Sequence, residues 1–443
     1  MSARTAFMFP GQGSYVPGIL ATLISEFPSA RKTLDQIDEM CDEHGHAPVS
    51  RLLTDPAAAS LDDLIADRSP DLDVALFAGN IVTYRILVET GLHADVVVGH
   101  SLGEVSAFTA AGALTVRDAT RLVFDRTTAL RGCSIPDGGM VALAVGSRRA
   151  THLTGLIDDP STVLAVDNGP DQSVISGPSA ALTEAEHIAA AAGIQATRLR
   201  AIHPFHNRLL RDAAETLARS FAGIPVAEPK IPVYSPVLGR YVQSAEDVRA
   251  WVERHMTQPV LFYDGLLRLY RDGVRRFVES GGRDTLTTLV PACLPAAAAT
   301  IAPLRRRCSA AEFRRAADGT VQVEAVPATA PAAESANGHR PTSTTDEPAD
   351  LPAADELFEQ IRQIYADALG YPVDLLDADI DLEADLGIDS IKQIEAFRLA
   401  RQRFGLPEPP AEVRVTSYST LTELAELLRR LAGSEQASIA TGV

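Results

Sequence analysis

The sequence predicts an α/β protein: a large lobe built on a parallel sheet, a small ferredoxin-like lobe inserted into it, and a compact all-helical unit behind them. Three observations carry this reading. Short β-branched runs alternate with stretches of helical period along most of the chain, the rhythm of a parallel sheet covered by helices. Residues 140–201 change texture to strand, helix, strand, strand, helix, strand, which is the βαββαβ order of a ferredoxin-like unit. Residues 324–350 (EAVPATAPAAESANGHRPTSTTDEPAD) are rich in Pro, Ala, Ser and Thr and nearly free of large apolar side chains. Such a segment cannot bury enough surface to fold, so it reads as a flexible linker. The expected boundaries are 1–322 for the first domain with its small subdomain at about 136–202, 323–350 for the linker, 351–433 for the helical unit, and 434–443 as a disordered tail.

Taken in order, Thr5–Phe9 reads as a strand that runs into the glycine turn Pro10-Gly11-Gln12-Gly13-Ser14. Residues 74–90 place apolar side chains at helical spacing. Val96–Val98 is a short β-branched run ending in Gly99-His100-Ser101-Leu102-Gly103, a Gly-x-Ser-x-Gly pattern. Glycines around a serine permit a sharp strand-to-helix turn that exposes the hydroxyl as a nucleophile, the elbow of α/β-hydrolase-like sheets. Ala107, Phe108 and Ala111 continue on a helical period. The small lobe follows as strand Met140–Val145, helix Ser147–Ile157, strand Thr162–Val166, strand Ser173–Ser176, helix Ala180–Ala192 and strand Thr197–Ala201. Three apolar stripes mark the last unit: Leu357, Ile361, Ile364, Tyr365 and Ala368; Ile391, Ile394 and Phe397; and Leu421, Leu424, Leu427 and Leu428.

At 443 residues, two or more domains are expected. No apolar run is long enough for a membrane span, and the N-terminus lacks a signal-peptide pattern, so a cytoplasmic protein without a membrane partner is expected. Cys41, Cys133, Cys293 and Cys308 are scattered singletons, which suggests neither a disulfide framework nor a zinc site. A net charge of -18 argues against a nucleic-acid partner. Residues 351–433 hold sixteen Asp/Glu against eight Lys/Arg, so the helical unit is itself acidic and suited to docking on basic surfaces.

Gly11-Gln12-Gly13-Ser14, the Gly99–Glu104 elbow, Arg126 within Leu122-Val123-Phe124-Asp125-Arg126, and His203-Pro204-Phe205-His206 occur in order and at the spacing of one family. Asn168-Gly169-Pro170, with Gln172 and Val174–Gly177, adds a fifth segment. Over roughly residues 5–305 the chain resembles the malonyl-CoA:acyl-carrier-protein transacylases and the acyltransferase domains of fatty-acid and polyketide synthases. The resemblance implies Ser101 as nucleophile and His206 as its base, with the backbone N–H groups of Gln12 and Leu102 as the oxyanion hole. It implies Arg126 as the two-point partner of a malonyl carboxylate, for which a planar guanidinium is well shaped. His203, Phe205 and Asn168 are implied as further substrate-binding residues, and the aromatic Phe205 favours malonyl over a branched unit. No metal is implied, since His203 and His206 have no carboxylate or cysteine at ligand spacing.

The sequence departs from that family at Leu261, after Gln258-Pro259-Val260, where a polar residue often orients the histidine. The orienting contact on His206 is therefore expected from elsewhere, a backbone carbonyl being one source. Residues 354–432 resemble an acyl carrier protein through Asp385-Leu386-Gly387-Ile388-Asp389-Ser390-Ile391. This implies 4′-phosphopantetheine on Ser390, with Asp385, Asp389 and Glu395 on a partner-facing acidic surface. The combined expectation is an acyltransferase that takes malonyl from malonyl-CoA onto Ser101 and passes it to a carrier, its own or a partner's. A phosphopantetheinyl transferase, a ketosynthase and further carrier domains are the implied partners. Two rivals share the elbow: a thioesterase or hydrolase, and a non-catalytic scaffold that presents the carrier.

Overall fold

The computed structural model describes residues 4–66 and 71–318. In the C-terminal part it describes the backbone of 354–369, 390–404 and 418–440, with single positions between them. The chain divides into two compact units, Met1–Val321 and Gln322–Val443. The expected linker at 323–350 lies outside the described residues.

The first unit carries eleven strands among the described residues: β1 (Arg4–Phe9), β2 (Val96–Gly99), β3 (Gly138–Leu143), β4 (Val163–Gly169), β5 (Gln172–Pro178), β6 (Ala196–Arg198), β7 (Val233–Ser235), β8 (Arg240–Val242), β9 (Val260–Leu261), β10 (Val274–Glu279) and β11 (Ala299–Ile301). Six of them form the large sheet in the order β11-β10-β1-β2-β7-β8. All pairs are parallel except the β7–β8 hairpin. Ala6, Phe7, Met8, Phe9 and Val96–Val98 are completely buried, as central strands covered on both faces must be. The covering helix Asp71–Glu89 is buried along nearly its whole length, which accounts for its almost uninterrupted apolar sequence.

The small lobe is a separate sheet in the order β6-β3-β5-β4-β9. Its first four strands pair antiparallel, in the spatial order of a ferredoxin-like unit. Helices Ser147–Thr154 and Ser179–Ala191 close a second core around Val141, Leu143, Ile175 and Leu182. The fifth strand was not foreseen. Val260 and Leu261 pair parallel with Val166 and Asp167, so the large lobe lends a strand to the small sheet and ties the two together.

The second unit contains helices Ala354–Leu369, Ser390–Arg403 and Leu421–Ala440. Leu357, Ile361, Tyr365, Leu421, Leu424 and Leu428 form its core as the stripes predict. Two expectations need correction. On helix Ser390–Arg403 the buried face is Gln393, Ala396, Phe397 and Ala400, while Ile394 is 41% exposed. Small alanines let helices approach closely, and a count of large apolar residues overlooks them. The last helix also continues to Ala440 rather than giving way to a disordered tail at 434: Ser434–Ala440 contains no proline or glycine to stop it.

Candidate active site

Strand β2 lies between β1 and β7 and ends at Gly99, from which the chain reverses into helix Gly103–Ala110. Ser101 stands at the apex with φ of 55°, a left-handed conformation that costs a non-glycine residue about 1–3 kcal/mol. Packing imposes it. A Cβ on Gly99 would lie 2.2 Å from the Glu104 nitrogen, and one on Gly103 would lie 2.0 Å from the Phe9 carbonyl oxygen. Only hydrogen at both positions lets strand and helix close on each other.

Ser101 Oγ is 2.8 Å from His206 Nε2. On the other side of the ring, Nδ1 is 3.0 Å from the backbone carbonyl oxygen of Gln258. Nδ1 therefore carries the proton and donates it to that carbonyl, which leaves the Nε2 lone pair to accept from the serine hydroxyl. Burial, reinforced by the neighbouring His100, lowers the His206 pKa to about 3. The ring is neutral at ordinary pH. Leu261 makes no polar contribution, and the main chain three residues before it orients the histidine instead.

The glycine turn after β1 borders the serine. Gly11 packs so closely that a Cβ there would sit 2.9 Å from the His100 carbonyl oxygen and 3.8 Å from Ser101 Cβ. Among the described residues, the N–H groups of Gln12 and Leu102 donate to no protein acceptor. Such groups can stabilise an oxygen that gains charge.

His100 was not singled out by sequence, although it precedes Ser101 directly. Its Nε2 is 2.8 Å from Asn168 Oδ1, and Asn168 Nδ2 donates to Gln172 Oε1 at 2.8 Å. Cys293 Sγ donates to the Asn168 carbonyl at 3.2 Å. Both ends of the Asn168 amide are thus engaged by protein groups, so its side chain acts here as a brace for His100. Burial lowers the pKa of His100 as well.

Arg126 is buried on helix Val116–Gly132. Its Nη1 donates to Asp73 Oδ2 at 2.5 Å, and its guanidinium carbon lies 4.8 Å from the centre of the Phe205 ring. Among the described residues its Nε has no hydrogen-bond partner. Gln12 Nε2 reaches the other Asp73 oxygen at 3.4 Å. Asp73 is a second residue that sequence reasoning missed, because a carboxylate in the first turn of a helix ordinarily complements the helix dipole at the surface. Gln12, Asp73, His203 and Phe205 line a cavity of about 240 Å³, together with aliphatic side chains such as Leu72 and Leu130. His203 stands edge-on to Phe205 at 5.7 Å. Among the described residues no group of three or more His, Cys, Asp or Glu could hold a metal ion.

In the second unit, Ser390 is the first residue of helix Ser390–Arg403. Asp385 and Asp389 lie outside the described residues, as does the side chain of Glu395.

Comparison with known proteins agrees with this division. Residues 6–326 match the acyl transferase domain model, and residues 359–428 match the phosphopantetheine attachment site model. A malonyl CoA-acyl carrier protein transacylase of Bacillus subtilis is 30% identical over 294 residues, which is 65% of this chain and 90% of that protein. A phenolphthiocerol synthesis type I polyketide synthase of Mycobacterium marinum is 34% identical over 302 residues, 67% of this chain. The chain spans only 14% of the length of that synthase. Among solved structures, the malonyl CoA-acyl carrier protein transacylase of Coxiella burnetii matches with a TM-score of 0.64 at 25% identity, covering 71% of this chain and 97% of that one. The acyltransferase domain of the second module of the salinomycin polyketide synthase matches with a TM-score of 0.61 at 30% identity, covering 72% of each chain. No described helix is long and apolar enough to cross a membrane.

Proposed function

The chain belongs to the acyl transferase domain family, with a phosphopantetheine attachment site behind the catalytic unit, and we propose that it moves a malonyl group from malonyl-CoA, through an ester on Ser101, to a carrier thiol. The observation that carries this reading is the 2.8 Å contact between Ser101 Oγ and a neutral His206 Nε2.

In the first half-reaction, His206 Nε2 takes the hydroxyl proton as Oγ attacks the thioester carbonyl. The N–H groups of Gln12 and Leu102 receive the negative oxygen of the tetrahedral intermediate. Its collapse breaks the carbon–sulfur bond, and His206 gives its proton to the departing CoA sulfur. In the second half-reaction, His206 takes the proton of the incoming carrier thiol. As the ester bond breaks, it returns a proton to Ser101 Oγ. The Gln258 carbonyl accepts from Nδ1 throughout, which stabilises the imidazolium formed twice per cycle. Arg126, whose charge is felt at His206, is the cation that a malonyl carboxylate would address, with Phe205 against its face.

A phosphopantetheine arm supplies the accepting thiol when it is bound. Ser390 suits its attachment, because the opening N–H groups of a 14-residue helix favour a phosphodiester there. A phosphopantetheinyl transferase would install the arm, and a ketosynthase would consume the malonyl carrier, the order of work in the synthases this chain resembles.

Intact-mass spectrometry of the phosphopantetheinylated protein after exposure to malonyl-CoA tests the reading. We expect a malonyl adduct on Ser101 and on the arm at Ser390, with both lost in Ser101→Ala. Loading of the Ser101→Ala arm at the wild-type rate would refute it.

A further inference from the structure

The group that would greet a substrate carboxylate already has one. Asp73 and Arg126 are both buried, their side chains 12% and 5% exposed, and they pair at 2.5 Å. A guanidinium held alone in a buried site strongly favours a carboxylated acyl group, since it has no other counter-charge. A guanidinium paired with Asp73 has one. An incoming carboxylate then meets the attraction of Arg126 and the repulsion of Asp73 together, at a site whose net charge is zero before it arrives. Among the described residues the buried Arg126 Nε donates to no acceptor, so the guanidinium keeps a donor in reserve and binding is weakened rather than forbidden. A short neutral acyl group meets neither force. It finds the Phe205 ring and the aliphatic wall of the adjoining cavity, where Leu72 directly precedes Asp73.

Resting on the acyltransferase reading above, we propose that Asp73 is a specificity-determining residue: by pairing with Arg126 it removes most of the preference for carboxylated donors, so that Ser101 accepts short neutral acyl thioesters alongside malonyl. Asp73 acts on selection of the acyl group, not on the proton transfers at His206.

The decisive measurement uses the full chain with equimolar malonyl-CoA and propionyl-CoA in competition, and reads the two adducts on Ser101 by mass. In the wild-type protein we expect kcat/KM values within about tenfold of each other. Asp73→Asn, which keeps the shape and removes the charge, should raise the malonyl-to-propionyl ratio by about tenfold or more, through a gain in malonyl kcat/KM. The opposite result is just as clear. If Asp73 merely positions Arg126 for the substrate, malonyl loading will fall in Asp73→Asn and the wild type will already prefer malonyl by more than about a hundredfold. Either finding overturns the proposal. The wild-type competition decides on its own should the variant not fold. Absence of any Ser101 adduct from either donor would instead overturn the acyltransferase reading on which the proposal stands.

Discussion

A histidine held by a backbone carbonyl has consequences that a histidine held by a side chain does not. No substitution removes the Gln258 carbonyl, so Leu261→Gln should change the Ser101 acylation rate by less than about tenfold, or 1.4 kcal/mol. Stopped-flow acylation of the two proteins checks this, and a loss of several decades would mean that Leu261 is needed for packing. The pH dependence follows from the same burial. An ordinary histidine near 6.5 would lose activity tenfold per unit below that pH, whereas His206, lowered to about 3, stays neutral and able to accept. The acylation kcat/KM should therefore show no acid limb between pH 8 and 5, and a limb near 6.5 would contradict the buried geometry. The meeting of Ser101 and His206 was legible in sequence because their surroundings follow a motif. Gln258 could not serve as such a signal, since it acts through a main-chain atom that every residue has. Asp73 was hidden for another reason: whether a first-turn carboxylate faces solvent or a buried arginine depends on residue 126, 53 positions away.

At the scale of elements, the helix after Ser101 shows how burial alters charge. Glu104 is wholly buried in its first turn, accepts from the Val237 N–H at 3.2 Å, and lies beside the Ser235 hydroxyl and the Trp251 indole. Burial pushes its carboxyl up to about 8, so the folded protein holds a proton there that the unfolded chain releases above about 4.5. The sign is fixed by that difference: between pH 4.5 and 8 the native state binds more protons, so this group lowers stability as pH rises. Glu104→Gln should flatten the dependence and make the protein relatively more stable at pH 8 than at pH 5.5, compared with wild type. Urea denaturation at the two pH values measures it, and an unchanged slope would show that Glu104 ionises freely in the fold. The strands and helices were legible because alternation and helical period come directly from which faces are buried, as in β2 and helix Asp71–Glu89. Strand β9 was not. Two residues have no period, and Val260-Leu261 becomes a strand only because β4 offers an edge. The face of helix Ser390–Arg403 was misjudged for a related reason, since Ala396 and Ala400 pack by closeness rather than bulk.

For the whole molecule, the defining fact is that a catalytic unit and an attachment unit share one chain. The composition of residues 323–350 predicts a tether, and a connection of that kind holds an acceptor at an effective concentration of about 1 mM. Loading of Ser390 from Ser101 should then be first order and independent of protein concentration. A mixture of Ser101→Ala and Ser390→Ala proteins separates donor from acceptor while leaving each unit otherwise whole. At about 1 μM of each protein, transfer between them should be slower than within the wild type by up to about a thousandfold, the ratio of the two acceptor concentrations. In Ser390→Ala alone, the acyl group should remain on Ser101 and leave only by slow hydrolysis, because the second half-reaction has lost its local thiol. Quench-flow mass spectrometry over a range of protein concentrations resolves all three species. Equal rates in the mixture and in the wild type would show that the attached unit is not the acceptor its own enzyme serves, and that Ser101 supplies carriers on other chains.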